Sequence, residues 1–253
     1  MSKIFITGAS SGIGKALALK LASQGHTLAL TARRQAKLQE VASQVEQAGG
    51  QAVVYPLDVR DREAQISAIA SFAGSQGLDA VVANAGFGLT KPILETNLEE
   101  ARELFDVNFF GLFNTLQAAT PHLTGGVFVG VSSAVTYGLP TGYGVYSATK
   151  SAVSALLTTM RRETKGKFKI ALVNPGETKT EFWQVVRQKS PQIIPVKSPF
   201  PVASPEQVAA TISQVLAKPK PQVFVTKMEQ TLPVLRGVFP EILEWYLRSQ
   251  ERA

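Results

Sequence analysis

The sequence predicts an α/β protein, with one doubly wound parallel sheet of about seven strands and helices on both faces. Two observations predict this fold. Short apolar runs rich in β-branched residues alternate with longer amphipathic stretches from residue 3 onward. Several of the short runs are apolar at every position, which is typical of strands covered on both sides. The length of 253 residues fits a single domain, and the sequence shows no internal repeat.

This alternation places seven strands and six main helices. The predicted strands are Lys3–Thr7, Thr27–Ala32, Ala52–Pro56, Ala80–Asn84, Val127–Val131, Ile170–Asn174 and Val223–Thr226. The predicted helices are Lys15–Gln24, Leu38–Ala48, Asp61–Gln76, Leu98–Thr120, Ser147–Lys165 and Pro205–Leu216.

Two segments depart from the alternation. Residues 177–204 contain Pro191, Pro195, Pro199 and Pro201, which predicts a long substrate loop with a short helix at Glu181–Arg187. Residues 228–253 form an amphipathic tail interrupted by prolines. We expect the tail to pack on its own subunit or on a neighbour. A weak interfacial membrane contact is the less favoured alternative, because the polar face mixes acids with bases.

The composition excludes several classes of protein. There is no cysteine and only two histidines, His26 and His122, which removes disulfide frameworks, thiol nucleophiles and the usual metal sites. The net charge of +7 suits an anionic ligand, yet it is spread along the chain and no nucleic-acid motif accompanies it. Neither a signal peptide nor a membrane span is predicted, so we expect a cytoplasmic protein.

A glycine-rich loop follows the first predicted strand. Thr7–Gly14 reads TGASSGIG and lies between a strand and a helix. Glycines let the backbone approach a pyrophosphate, and the helix N-terminus offers free N–H groups to the anion. This placement indicates a Rossmann-type dinucleotide site. The residues expected to line it are Gly8, Ser10, Ser11, Gly12, Ile13 and Gly14.

Two other motifs compete for the same loop. Gly8–Gly12 also matches the nucleophile elbow of a serine hydrolase, with Ser10 as nucleophile and His122 as the one downstream base. No earlier strand precedes it to supply an oxyanion hole, so this alternative is weaker. A phosphate-binding P-loop is excluded, because Gly14 comes one residue too late and Ala16 replaces the required hydroxyl residue.

The end of the second strand indicates which dinucleotide is bound. NAD sites place a carboxylate there, whereas this chain has Arg33 and Arg34. Arginine near a helix N-terminus opposes the helix dipole, which favours an anionic partner. Paired guanidinium groups bind a phosphate well. We therefore expect NADP(H) as the cofactor.

A tyrosine and a lysine stand four residues apart where the predicted helix Ser147–Lys165 begins. Tyr146 and Lys150 therefore share one helix face. A neighbouring cation favours the phenolate form of a tyrosine. The pair by itself is weak evidence, because surface pairs at this spacing also occur by chance.

Taken together, the motifs resemble those of the short-chain dehydrogenase/reductase family. The resemblance covers residues 3–226 and includes the TGxxxGxG and YxxxK motifs of its shorter branch. It rests on Thr7–Gly14, Asn84-Ala85-Gly86, Asn108, Ser133 thirteen residues before Tyr146, the Tyr146–Lys150 pair, and Pro175-Gly176.

The resemblance implies a set of catalytic roles. Tyr146 would protonate a carbonyl oxygen as hydride arrives from the nicotinamide, and Lys150 would lower the pKa of Tyr146 and bind the nicotinamide ribose. Ser133 rather than Ser132 would hold the substrate oxygen. Asn108 would keep a water in a proton relay to the lysine.

Cofactor contacts follow from the same resemblance. Asp58 and Val59 look like the adenine-binding pair, and Asn84, Ala85 and Gly86 resemble the family's NNAG element with Ala83 in place of its first asparagine. Pro175, Gly176, Thr178 and Thr180 resemble the segment beside the nicotinamide, although threonine replaces the usual aliphatic residue at position 178.

These observations predict a reductase of a small, mainly apolar carbonyl compound. Phe87–Leu89, Ala134–Tyr143 and Phe182-Trp183 supply the apolar surface, while Lys179, Lys189 and Lys197 could attract an acidic carrier group. A non-catalytic NADP(H)-binding sensor or scaffold is the alternative, and a serine hydrolase is the weaker one. The family resemblance also implies a homodimer or homotetramer formed through Leu98–Thr120 and Ser147–Lys165.

Overall fold

Seven parallel strands form a single sheet in this computed structural model, which describes residues 1–189 and 200–251. The order across the sheet is β3-β2-β1-β4-β5-β6-β7, which confirms the predicted doubly wound fold. The strands are β1 Lys3–Thr7, β2 Thr27–Ala32, β3 Gln51–Pro56, β4 Ala80–Ala83, β5 Val127–Val131, β6 Lys169–Asn174 and β7 Gln222–Phe224.

Helices cover both faces of this sheet. They are α1 Gly12–Ala22, α2 Gln35–Gln47, α3 Arg62–Ala73, α4 Leu98–Phe105, α5 Gly111–Ala119, α6 Val135–Gly138, α7 Gly144–Glu163, α8 Phe182–Lys189, α9 Pro205–Ala217, α10 Leu232–Val238 and α11 Pro240–Glu251. Short 3₁₀ turns lie at Ile93–Glu95, Thr120–His122 and Glu229–Thr231.

Alternate side chains of each strand pack on opposite faces, and this produces two apolar cores. Ile4 and Ile6 of β1 point to the core beneath α1, α2 and α9, while Phe5 points to the core beneath α3, α5 and α7. All three side chains are at most 2% exposed. The apolar runs in the sequence therefore reflect burial on both sides of the sheet.

The predicted helix Leu98–Thr120 is interrupted. Between α4 and α5, the residues Asp106–Phe110 form one π-helical turn, in which the N–H of Gly111 donates to the carbonyl of Asp106. A side chain at Gly111 would overlap Val59, so close packing against the end of β3 accompanies the wider turn. Asn108 lies within it.

Other differences concern boundaries. The first helix begins at Gly12 instead of Lys15, because the glycine loop itself forms its first turn. The expected loop Ala134–Tyr143 contains the short helix α6. The short helix predicted at Glu181–Arg187 is present as α8, whereas Pro191, Pro195, Lys197 and Pro199 lie outside the described residues.

The tail folds back as α10 and α11. Leu232 and Leu243 are buried in a small cluster with Ala134 and Phe224, so the tail packs on its own chain as expected. Of the helices that the structure describes, none is both long and apolar enough to cross a membrane.

A buried glutamine fixes the segment after β3. The Gln65 amide donates to the carbonyls of Val59 (2.6 Å) and Gly111 (3.1 Å), and its oxygen accepts from the hydroxyl of Thr115 at 2.5 Å. We expect Gln65→Leu to lower the free energy of unfolding by about 1–3 kcal/mol, because these buried groups lose their partner. Urea unfolding measures this loss. Gln39→Leu, at an exposed position of α2, is the control, and an equal change in both variants would contradict the assignment.

Candidate active site

The carboxyl ends of the parallel strands meet along one cleft, and a cavity of about 810 Å³ runs through it. The segments that follow β1, β4, β5 and β6 form its floor, and α7 forms one wall. Of the predicted site residues, the structure places all but Gly14 and Asn108 on the cavity lining. Those that line it are Gly8, Ser10, Ser11, Gly12, Ile13, Arg33, Arg34, Asp58, Val59, Asn84, Ala85, Gly86, Ser133, Tyr146, Lys150, Pro175, Gly176, Thr178 and Thr180.

The glycine loop needs its glycines for two reasons. Gly8 and Gly12 have φ values of +68° and +53°, in the left-handed region that favours glycine. Gly14 lies so close to the carbonyl of Gly8 that a side chain there would overlap it. The three glycines therefore keep the loop tight against the start of α1, whose Ser11 makes no capping hydrogen bond.

Asn84 fixes this loop to β4. Its side-chain amide donates to the carbonyls of Thr7 (3.1 Å) and Gly8 (3.2 Å). The Thr7 hydroxyl in turn accepts from the backbone N–H groups of Asn84 and Ala85, both at 3.0 Å. The predicted Asn84–Gly86 element is thus joined directly to the glycine loop.

Basic side chains lie at the end of the cavity that is formed by the glycine loop and the residues after β2. Arg33 and Arg34 are exposed there, and one nitrogen of Arg34 donates to the hydroxyls of Ser10 (3.1 Å) and Ser11 (2.8 Å). Asp58 is paired with the guanidinium of Arg60 at 2.6 Å, and this hydrogen bond lowers the pKa of Asp58. The carboxylate nearest the end of β3 is therefore already neutralised.

Neither histidine lies near Ser10. Both histidines lie at the amino ends of the strands. The His122 carbonyl accepts from the N–H of Leu78, just before β4, and the His26 ring accepts from the N–H of Ser2, just before β1. Ser10 follows the carboxyl end of β1, at the opposite edge. Among the residues that the structure describes, neither histidine can serve as the base for Ser10, so the structure does not support the serine-hydrolase interpretation.

Tyr146 and Lys150 lie one turn apart on α7, and both are nearly buried, with 8% and 5% exposure. The Ser133 hydroxyl forms a hydrogen bond with the phenol of Tyr146. Ser132 instead bonds the carbonyl of Lys150 at 3.1 Å and the hydroxyl of Ser154 at 2.8 Å. Of the two adjacent serines, the one at the family spacing is therefore the one that faces the tyrosine.

Burial controls the charge state of this pair. Desolvation raises the pKa of Tyr146 to about 12, and the hydrogen bond with Ser133 only partly offsets this. Desolvation lowers the pKa of Lys150 to about 8. The Lys150 ammonium donates to the carbonyl of Val131 at 3.0 Å and lies 6.0 Å from the tyrosine ring centroid. The pKa of Tyr146 is therefore raised and not lowered as expected, because burial outweighs the effect of the neighbouring groups.

Asn108 sits behind the cavity wall. Its carbonyl oxygen accepts from the N–H of Phe87 at 3.0 Å, and its amide donates to the Phe87 carbonyl (2.9 Å) and the Thr149 hydroxyl (3.2 Å). A side chain at Gly86 would come within 2.9 Å of Asn108 and 3.4 Å of the Lys150 nitrogen. Asn108 thus holds the Gly86–Phe87 segment against the lysine, and the water relay stays a prediction.

The segment after β6 lines the cavity between the glycine loop and Ser133. The Pro175 carbonyl accepts from the N–H of Ala134 at 2.9 Å, and the Thr178 hydroxyl donates to the carbonyl of Gly176 at 3.1 Å. Thr180 packs its side chain near Gly12, which brings this segment over the glycine loop.

Sequence reasoning missed the buried Glu229 beneath this segment. One carboxylate oxygen accepts from the N–H of Thr226 at 2.9 Å, and the other lies where a side chain on Gly176 would be. Burial raises the pKa of Glu229. The sequence does contain a pattern that indicates a structural role for Glu229, because Thr226 and Glu229 have the Thr-x-x-Glu spacing of a helix capping box.

Apolar side chains form the remaining walls. The Phe182 ring of α8 packs on the ring of Tyr146, with centroids 5.7 Å apart. The tail also contributes to the lining, a role that the sequence did not indicate. The apolar lining residues from these elements are Phe87, Val135, Tyr143, Phe182, Trp183, Phe200, Leu232, Leu235, Ile242, Leu243 and Trp245.

A dinucleotide-shaped cleft that ends at a buried Ser–Tyr–Lys cluster defines a nicotinamide-dependent oxidoreductase. The sequence profile described as short chain dehydrogenase matches residues 2–191, and the chain belongs to this family. The family that the sequence motifs predicted is thus confirmed.

Relatives of known structure or function agree with this assignment. The chain is 32% identical to 11-beta-hydroxysteroid dehydrogenase 1A of Arabidopsis thaliana, covering 97% of this chain and 74% of that protein. It is 30% identical to the alcohol dehydrogenase of Thermococcus sibiricus complexed with 5-hydroxy-NADP, with a TM-score of 0.78 and coverage of 88% and 95%. A short chain dehydrogenase from Mycobacterium paratuberculosis bound to NAD, 24% identical, shares the fold with a TM-score of 0.77 and coverage of 88% and 95%.

The lowered pKa of Lys150 predicts a pH-dependent stability. Between about pH 8 and 10.5 the unfolded chain keeps the lysine proton that the folded chain has lost, so folding stability rises with pH in this window. Lys150→Met lacks this gain. We expect the wild-type protein to gain free energy of unfolding relative to the variant between pH 7.5 and pH 9.5, measured by urea unfolding. Lys20→Met, at an exposed site, is the control. If the free energies of unfolding of wild type and Lys150→Met differ by the same amount at both pH values, the pKa of Lys150 is not lowered.

Proposed function

We propose that this chain is an NADP(H)-dependent reductase of a small, mainly apolar carbonyl compound, built as one dinucleotide-binding catalytic domain. The observation that supports this most is the single cavity that runs from Arg33 and Arg34 at one end to Tyr146 and Lys150 at the other. A cofactor bound along it would bring its nicotinamide to the tyrosine and its adenosine to the arginines.

The residues present fit a dinucleotide. Gly8 and Gly12 keep the backbone free of side chains where a pyrophosphate would lie, and the uncapped start of α1 offers N–H groups to it. Gly86 packs directly against Asn108 and Lys150, so a side chain there would crowd the lysine. The residues that would hold the cofactor are those of the glycine loop, Asp58-Val59, Asn84–Gly86, Tyr146, Lys150, Pro175-Gly176, Thr178 and Thr180.

The preference for NADP(H) rests on charge at the adenosine end. No carboxylate follows β2, where Arg33 and Arg34 stand, and Asp58 is occupied by Arg60. A 2′-phosphate placed there would meet guanidinium groups and two serine hydroxyls, which bind phosphate oxygens. No acidic residue occupies positions 33 and 34, where an NAD site would place a carboxylate to accept a hydrogen bond from the 2′-hydroxyl.

Tyr146 supplies the proton in the proposed reduction. A bound reduced nicotinamide supplies the hydride to the carbonyl carbon. Because the pKa of Tyr146 is raised to about 12, its phenol is protonated at neutral pH and can donate to the carbonyl oxygen. Ser133 holds the same oxygen by hydrogen bonding, and the Lys150 cation stabilises the phenolate left behind.

The apolar walls support an apolar substrate. Aromatic and aliphatic side chains from α6, α8 and the tail surround the space beyond Tyr146. The hydroxysteroid dehydrogenase named among the relatives is consistent with such a substrate. The reductive direction follows from the expected NADPH, the usual cellular reductant.

We also propose a homodimer or homotetramer through α4, α5 and α7. Leu98 of α4 and Phe110, just before α5, are 58% and 49% exposed, and Phe109 stacks on Phe113 along the same segment. Exposed apolar side chains on neighbouring helix turns fit a subunit interface.

Tyr146→Phe should reduce turnover at least about 100-fold, because the general acid is lost. NADPH absorbance at 340 nm measures turnover of any ketone or aldehyde that the wild-type protein reduces, and NADPH binding should be retained. Tyr55→Phe on β3, whose hydroxyl bonds Ser71 far from the cleft, is the control. Substantial activity in Tyr146→Phe would remove the acid role.

Replacing Arg33 and Arg34 together with alanine should weaken NADPH binding by roughly 10- to 100-fold, since hydrogen bonds to charged groups are lost, and should leave NADH binding nearly unchanged. Fluorescence titration measures both affinities. A variant with Lys20→Ala and Lys218→Ala removes the same charge at exposed positions. Equal losses for the two nucleotides would contradict the 2′-phosphate assignment.

A further inference from the structure

One acidic side chain lies among the cations at the adenosine end. The carboxylate of Glu181 is 2.9 Å from Arg34 and 2.9 Å from Lys37. Glu181 follows the segment after β6, whereas both cations belong to the start of α2. The ion pairs therefore connect the two sides of the cleft.

The donors around Glu181 are those of a phosphate site. Arg34 and Lys37 provide two positive charges, and Arg34 also joins the hydroxyls of Ser10 and Ser11 in the glycine loop. Arginine, lysine and serine hydroxyls are the groups that bind phosphate oxygens. In this structure their anionic partner is a side chain of the same protein.

The charges in this cluster favour a phosphate that replaces the Glu181 carboxylate over one that binds beside it. Two cations and one carboxylate leave this cluster with one positive charge. Hydrogen bonds from Lys37 and Arg34 lower the pKa of Glu181 to about 2, so the carboxylate stays charged at any physiological pH. A phosphate bound beside the carboxylate would be repelled by it and would share Arg34 and Lys37 with it, whereas a phosphate that replaced it would have both cations to itself.

We propose that Glu181 is a specificity-determining residue, whose carboxylate occupies the place of the cofactor 2′-phosphate and is displaced when NADP(H) binds. This inference rests on the proposed binding of the 2′-phosphate by Arg33 and Arg34. NADH carries no phosphate at this position, so it binds without breaking the ion pairs of Glu181. The carboxylate thus reduces the difference in affinity between NADPH and NADH that the arginines create.

Displacement of Glu181 is also expected to affect the residues around Tyr146. Glu181 directly precedes α8, and the Phe182 ring contacts the ring of Tyr146. Trp183, the next residue, lines the same cavity. A backbone shift that accompanies this displacement would reach the tyrosine through Phe182, and we expect it with a nucleotide that carries the 2′-phosphate and not with one that lacks it.

The test uses two nucleotides without a nicotinamide. Adenosine 2′,5′-bisphosphate carries the 2′-phosphate and ADP lacks it, and calorimetry gives the affinity of each for the full-length wild-type protein, Glu181→Gln and Glu40→Gln. Glu40 is an exposed acid on α2, so its variant removes the same charge close by. We expect Glu181→Gln to bind the bisphosphate about three- to fivefold more tightly at low salt, with ADP unchanged and Glu40→Gln like wild type.

Each other outcome has a distinct meaning. If wild type prefers the bisphosphate and Glu181→Gln binds it no more tightly, the proposed displacement is wrong while the NADP(H) preference stands. If Glu181→Gln binds both nucleotides more weakly, Glu181 closes over the bound nucleotide and the proposal is overturned. If wild type shows no preference for the bisphosphate, the NADP(H) preference fails and the inference fails with it.

A fluorescence measurement tests the movement. With Trp245→Phe in the background, Trp183 is the remaining tryptophan. Its emission should shift on addition of the bisphosphate and not on addition of ADP. An unchanged emission, or equal shifts with both nucleotides, would contradict the displacement of Glu181.

Discussion

Parallel pairing of β1 with β2 on one side and with β4 on the other is the constraint on which the site depends. Thr7 pairs with Thr31 of β2, and Ile6 pairs with Val82 of β4. Chain connections leave β1 and β4 toward opposite faces of the sheet, so a crevice opens between their carboxyl ends. The glycine loop and Asn84 lie at this crevice, and their hydrogen bonds hold its two sides together.

Low solvent access gives the catalytic cluster its chemical properties. Tyr146 and Lys150 are buried on α7 beside Ser133, with the lysine held by a backbone carbonyl of β5. Burial disfavours the charged form of each group, which keeps the phenol protonated and makes the ammonium a readier proton donor than an exposed lysine. A cofactor or substrate placed there acts on groups that water does not screen.

The sequence predicted the parts of the molecule that local patterns determine. All seven strands, the glycine loop and the Tyr146–Lys150 pair follow from apolar periodicity and spacing, and the family resemblance selected Ser133 over Ser132. The structure adds what depends on distant contacts. The π-helical turn at Asn108 accompanies packing of Gly111 against Val59, which no local pattern reveals.

Long-range pairing explains the other differences. The tail lines the cavity because it packs against Ala134 and Phe224, far away in the sequence. Glu181 meets Arg34 across 147 positions of the chain, so the sequence showed two arginines but not the acid that they hold. The lysine beside Tyr146 indicated a lowered tyrosine pKa, whereas the depth of burial, which the sequence does not show, reverses the direction.

Titration of the purified protein with NADPH and with NADH, followed by nicotinamide fluorescence, tests the central claim most directly. We expect saturable binding that is tighter for NADPH, with the emission of a nicotinamide held in an apolar, water-poor cleft. Failure of both nucleotides to bind would contradict the assignment of the cleft as a dinucleotide site, and with it the proposed hydride transfer at Tyr146.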